Sequence, residues 1–363
     1  MKGKETAALP KPQKSLPRYT DERGREYFFD NAKFILITFV VLAHAVAPLK
    51  DQSDLAKAIW IVLNSFHMAC FIFMTGYFAK SYIQKDGSVR QQRLFTYWMY
   101  YLFAQAFETL FEYTVLGKNV GISVFLPRPA LWYLLCMILW FTILPYVAKI
   151  KIPIAIGCAF AFGLLVGYDA KAGGMLSLCR AVNHFPFFLM GFYFKKEWLF
   201  RFRNIWTKTA AAAVMVGALV FAFFEYSLVA TRILECSYNY KGAKLVLFTA
   251  LPLQWVNRLV FYVAAIVLCA CFLTLVPRRK LFFTRFGSRT LQVYLIHRLL
   301  YFCEEEFGWY KLPFFEQYGV YKMMLIAVAV TFLLSLKVFE YPFIWIGKIP
   351  LAPLLKPEYQ HKK

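Results

Sequence analysis

Lys33 and His44 bracket ten residues, FILITFVVLA, of which only the threonine is polar. An ionisable group inside such a run is costly in a membrane, so its presence is informative. At 3.6 residues per turn and about 1.5 Å of rise per residue, the eleven-residue step closes about three helical turns and rises roughly 16 Å. That is about half of a hydrocarbon core of roughly 30 Å. The two side chains therefore share one helix face, the lysine at a membrane surface and the histidine deep in the bundle. A histidine there suits proton transfer, because an imidazole with an unperturbed pKa near 6.5 can take a proton from a hydroxyl at neutral pH. The bland alternative is a packed histidine hydrogen-bonded to a neighbouring helix.

Other residue types in the chain could join that chemistry. Arg90 and Arg93 lie in RQQR, and if helical their spacing points both guanidinium forks one way, where phosphate oxygens would fit them beside Lys33. Ordinary positive-inside arginines are the alternative. His67 falls roughly 13 Å from the end of its apolar segment, and His297 lies at a similar depth in a later one. Thr290, Tyr294 and His297 recur at spacings of four and three, which makes one polar stripe. His44, His67 and His297 could thus meet in one cavity, although any of them could instead serve packing. Arg180 and His184 are four apart on one face near the opposite surface, and His361 belongs to the C-terminal tail. Asp30 is placed to be an N-terminal cap or first-turn acid, or to act near Lys33. The run Glu304 to Glu306 is expected to be a solvated face. Eight cysteines without paired ligand spacings are expected to be small buried hydrophobes, with no metal site and no disulfide framework.

The elements that must position these groups follow from composition. Sixty per cent apolar residues, twenty per cent aromatics and a mean hydropathy of +0.51 exceed what a soluble domain of 363 residues can bury. The expected fold is an all-α integral membrane bundle of about ten transmembrane helices. Its apolar segments run at about 34–49, 58–79, 94–115, 129–147, 152–168, 179–195, 208–228, 258–276, 289–303 and 323–345. The apolar stretch from Leu245 to Val256, broken by Pro252, is expected to be re-entrant or interfacial. The net charge of +22 falls in short clusters between these segments, such as Lys80, Lys85, Arg90 and Arg93, which marks topology and not nucleic-acid binding. The alternation predicts both termini in the cytosol. Residues 1–32 form a basic cytosolic tail, 33–345 the transmembrane domain and 346–363 a second tail.

The lysine, ten-residue gap and histidine of KFILITFVVLAH resemble the basic-x10-His motif of the acyltransferase 3 family of membrane O-acyltransferases. Fucose 4-O-acetylase-like members are most similar. FHMACFIFMTGYF, RQQR, LWYLL, FPFFLMGFYF and RFGSRTLQVYLIH resemble the family's later blocks, in the expected order. Many members have arginine where this chain has Lys33, which keeps the charge and loses the bidentate fork. The resemblance implies an acyl-coenzyme A donor, acetyl above all, and a carbohydrate or glycolipid acceptor outside the cytosol, in a multi-pass protein of the cell membrane. It makes Lys33, Arg90 and Arg93 the donor site. His44 becomes the catalytic residue, as general base or as transient acyl carrier, and His67, Arg180, His184, Tyr294 and His297 the acceptor side, with no metal. The rival class is a secondary transporter whose midplane histidines relay protons.

Overall fold

A computed structural model of the chain describes residues 19–21, 24–84, 87–121 and 123–356. Lys85, His361, most of the first expected tail and the end of the second lie outside the described residues. Among those described, the regular structure is helical, with two isolated β-bridges, Thr20 to Glu26 and Ile83 to Val89. In chain order the helices are α1 (Tyr27–Val46), α2 (Asp54–Ala79), α3 (Gln91–Thr114), α4 (Trp132–Val147), α5 (Ile152–Leu165), α6 (Leu178–Tyr193) and α7 (Lys196–Arg201). They continue with α8 (Ile205–Phe224), α9 (Thr231–Leu234), α10 (Gln254–Leu275), α11 (Thr290–Phe307), α12 (Gly319–Leu334) and α13 (Tyr341–Gly347).

Every one of the ten apolar segments falls on a helix, and the last is broken into two pieces at 66°. By length and composition, Tyr27–Leu49, Asp54–Ala79, Ile205–Phe224 and Leu251–Leu275 can each cross a membrane alone. The bent pair Gly319–Leu334 and Lys337–Leu354 adds a fifth if it acts as one span. Helices α3, α6 and α11 interrupt their apolar runs with buried polar side chains, among them Glu108, Asn183 and His297. The stretch expected to be re-entrant has no helix of its own. Residues 245–250 are irregular, and the rest is a 3-10 turn, Leu251–Leu253, that runs straight into α10.

Helix α2 is the hub, packing against α1, α6, α8 and α10. Its crossing with α6 is made by two glycines. A Cβ on Gly76 would lie 1.9 Å from the Phe188 carbonyl oxygen, and one on Gly191 would lie 1.8 Å from that of Phe73. Only a bare Cα lets the two backbones come that close, the small-residue packing favoured where lipid offers no hydrophobic drive.

Helix α1 begins at Tyr27, ahead of the apolar run, and its N-cap is Glu26. Asp30 is thus a first-turn acid and not the cap. Its carboxylate takes ion pairs from Arg25 at 2.5 Å and Lys33 at 2.9 Å. One residue on, the fully buried Asn31 donates to the carbonyls of Pro277 and Arg279, both at 2.9 Å, and accepts from Thr284 Oγ1 at 2.6 Å. These bonds tie the start of α1 to the connection between α10 and α11, and so set where Lys33 stands. Gly287 on the same connection touches the Asp30 backbone, where a Cβ would lie 2.1 Å from its carbonyl oxygen.

Candidate active site

Two cavities run along one face of α1. The first, about 270 Å³, is lined by Lys33, Ile37 and Val40, and the second, about 280 Å³, by Val40, Ala43, His44 and Ala47. Residues 33, 37, 40 and 44 follow the three- and four-residue steps of a helix face. Val40, Met68 and Tyr294 line both cavities, so the two adjoin. The Lys33 ammonium stands in the wall of one cavity and the His44 imidazole in the wall of the next.

Apart from Lys33, the walls of the first cavity are apolar with a few hydroxyls: Thr75, Tyr82, Tyr97, Tyr133, Thr290 and Tyr294. Thr75 and Tyr133 share a hydrogen bond of 2.5 Å, and the hydroxyls of Tyr82 and Tyr97 are also bonded to each other. Arg93 packs on the outer side of this wall, its guanidinium 4.6 Å from the Tyr82 ring centre and its Nη1 donating to Ser81 Oγ at 3.3 Å. Arg90 does not join it. This residue is the N-cap of α3, with extended φ −65° and ψ 98°, and it is exposed. The three-residue spacing therefore starts outside the helix, and the two arginines are not set along one helical face.

The second cavity gathers His44, His67, His184 and His297, from α1, α2, α6 and α11. The rings of His44 and His297 are 5.3 Å apart between centres, and the Tyr301 ring stacks on His44 at 5.8 Å. Three of the four share one device: Nδ1 faces the carbonyl four residues earlier. The distances are 2.5 Å from His67 to Leu63, 3.0 Å from His184 to Arg180 and 2.9 Å from His297 to Val293. A carbonyl can only accept, so Nδ1 carries the proton in each and Nε2 holds the free lone pair. His297 Nε2 is buried without a partner among the described residues. His44 differs, since neither of its ring nitrogens has a hydrogen-bond partner among the described residues. Half-buried on the cavity wall, it is open to a ligand.

Tyr294 sits where the cavities meet, its hydroxyl donating to the Ala130 carbonyl. The predicted stripe holds: Thr290 and Tyr294 line the first cavity, Tyr294 and His297 the second. Arg180 lies over the Trp132 ring at 5.2 Å and donates through Nε to the Glu235 carbonyl at 3.1 Å. His184 packs on the same indole, at 5.3 Å between ring centres.

Two features of the site were not foreseen. Arg298 lines the histidine cavity, clamped to both oxygens of Glu305 at 3.2 Å and lying over Phe302 at 4.6 Å. An arginine inside an apolar segment was the signal for it. In the acidic run beyond it Glu305 and Glu306 are exposed, as expected, and Glu304 is not. Glu304 is buried, Glu305 holds Arg298, and Glu306 pairs with Lys118 at 2.5 Å. The reason is that α11 continues to Phe307, which carries Glu304 onto the buried face with His297 and Tyr301. The eight cysteines are free, five of them buried, and among the described residues no cluster of three His, Cys, Asp or Glu could hold a metal ion.

A family model described as an acyltransferase domain matches residues 26–336. No curated protein and no solved structure matches the chain.

Proposed function

The chain belongs to the acyltransferase 3 family and is a membrane acyltransferase, and on that premise we propose that it moves an acetyl group from cytosolic acetyl-coenzyme A to a hydroxyl of an extracytoplasmic or membrane-linked carbohydrate. The observation that carries this reading is the pair of adjoining cavities, with Lys33 in the wall of one and His44 in the wall of the other. The protein crosses the cell membrane about ten times with both termini in the cytosol, which puts the Lys33 end inside and the Arg180 end outside.

In this reading Lys33 and Arg93 hold the donor phosphates at the cytosolic mouth, and Arg90 adds charge from the surface. The pantetheine arm lies along the apolar walls of the first cavity and brings its thioester past Tyr294. The acceptor enters the histidine cavity from the other end. The His44 imidazole takes the hydroxyl proton as the oxygen attacks the thioester carbonyl. The carbon–sulfur bond then breaks, and the proton passes to the departing sulfur of coenzyme A. His67, Arg180, His184, Tyr294 and His297 position the sugar. Purified protein given labelled acetyl-coenzyme A should label surface glycan, and a transporter would leave the glycan unlabelled.

A further inference from the structure

The histidine cavity continues away from Lys33 into a smaller cleft of about 210 Å³, with Lys50 and Trp60 in the walls of both. Three cations lining the two spaces rest on aromatic rings. Lys50 lies over the Trp60 ring at 4.6 Å, Lys57 over Tyr226 at 4.2 Å, and Arg180 over Trp132 at 5.2 Å. None of the three forms an ion pair with a carboxylate among the described residues. Aromatic faces fix a cation in place while leaving its charge uncompensated. The acids lining the two spaces are Asp51 and Glu235, against four cations once Arg298 is included. Arg298 is the one held by a carboxylate, that of Glu305.

We infer that this cleft and the adjoining Arg180 end of the histidine cavity form the acceptor subsite and that it selects a glycan carrying an anionic group, a carboxylate or a phosphate, next to the sugar that is acylated. The inference rests on the proposed acyl transfer and adds the chemical class of its acceptor. Arg180 and Lys50 would meet the anion, since a guanidinium fork and an ammonium both match such oxygens and gain most from an anion in a partly desolvated cleft. A neutral sugar would leave the three cations without a counter-charge, so it would bind less well.

The test is equilibrium binding of three labelled tetrasaccharides to the purified full-length protein: one all-glucose, one with a glucuronate and one with a glucose 6-phosphate. At least one anionic sugar should bind about tenfold tighter than the neutral one, the scale of one charge-assisted contact. The favoured sugar identifies the anion as carboxylate or phosphate. Arg180→Gln and Lys50→Gln should each remove most of that advantage while acetyl-coenzyme A binding, read in parallel, stays intact and reports the fold. Equal binding of all three sugars, no binding of either anionic one, or an advantage that survives in both variants would overturn the inference. Because the readout is binding without turnover, a failure of acyl transfer itself would leave it unaffected.

Discussion

The rings of His44 on α1 and His297 on α11 stand 5.3 Å apart between centres, and only one of them is fixed by a hydrogen bond to its own helix. His297 is held with Nδ1 on the Val293 carbonyl, whereas His44 has both nitrogens open to the cavity wall. The two imidazoles are suited to different work, His297 to orient and His44 to exchange a proton. His297→Gln should therefore raise KM for the acceptor several-fold while leaving more of kcat than any change at His44. Steady-state kinetics of the two variants side by side checks this.

The donor end makes a second prediction. Arg93→Ala should weaken acetyl-coenzyme A binding by about tenfold, and should do so far less for a donor lacking its phosphates, because the lost contact is to phosphate. Arg90→Ala should have the smaller effect, since Arg90 stands exposed at the helix start and off the cavity wall. Lys33→Arg should be tolerated, as charge is kept beside Asp30. Equal losses for both donors would indicate a damaged fold instead.

Helix packing can be tested without any ligand. Gly76→Ala and Gly191→Ala each drive a methyl into a backbone carbonyl that cannot step aside. Thermal unfolding in detergent should report a loss of about 1–3 kcal/mol or more for each. Gly157→Ala on α5 meets nothing within 4 Å and should be neutral or gain up to about 1 kcal/mol from helix propensity. Asn31→Ala should cost about 1–3 kcal/mol by removing three hydrogen bonds to the α10–α11 connection, one of them to the buried Thr284 hydroxyl.

Topology gives a fourth prediction. Reporters fused to the two ends should both read cytosolic, and a cysteine placed at Glu316, which is exposed between α11 and α12, should label from outside in intact cells. Ends on opposite sides would remove the ten-span reading.

Much of this architecture was legible in the sequence, for identifiable reasons. Apolar runs place helices because the segment must satisfy its own backbone, and the spacings of Lys33 to His44 and of Thr290, Tyr294 and His297 survive because helical periodicity is local. What was not legible depends on other elements or on helix ends. The approach of Gly76 to Phe188 is a fact about two helices, and neither glycine announces its partner. Arg90 and Arg93 looked like a pair only if the helix included both, and it starts one residue too late. Glu304 looked solvated because the apolar run stops before it, yet the helix does not. Arg298 was hidden by its neighbour, since His297 already explained a polar break in the segment.

The assignment of His44 as the base is the centre of the account, and His44→Gln tests it most directly. Glutamine keeps a hydrogen-bonding group of similar reach but cannot take up the proton. The wild-type rate should rise with pH to a plateau as the imidazole becomes free to accept a proton. Transfer from labelled acetyl-coenzyme A by the purified variant should fall by roughly 10²-fold or more with donor binding unchanged, the usual scale for a lost positioned base. Near-normal transfer by His44→Gln, with the same pH profile as the wild type, would contradict it.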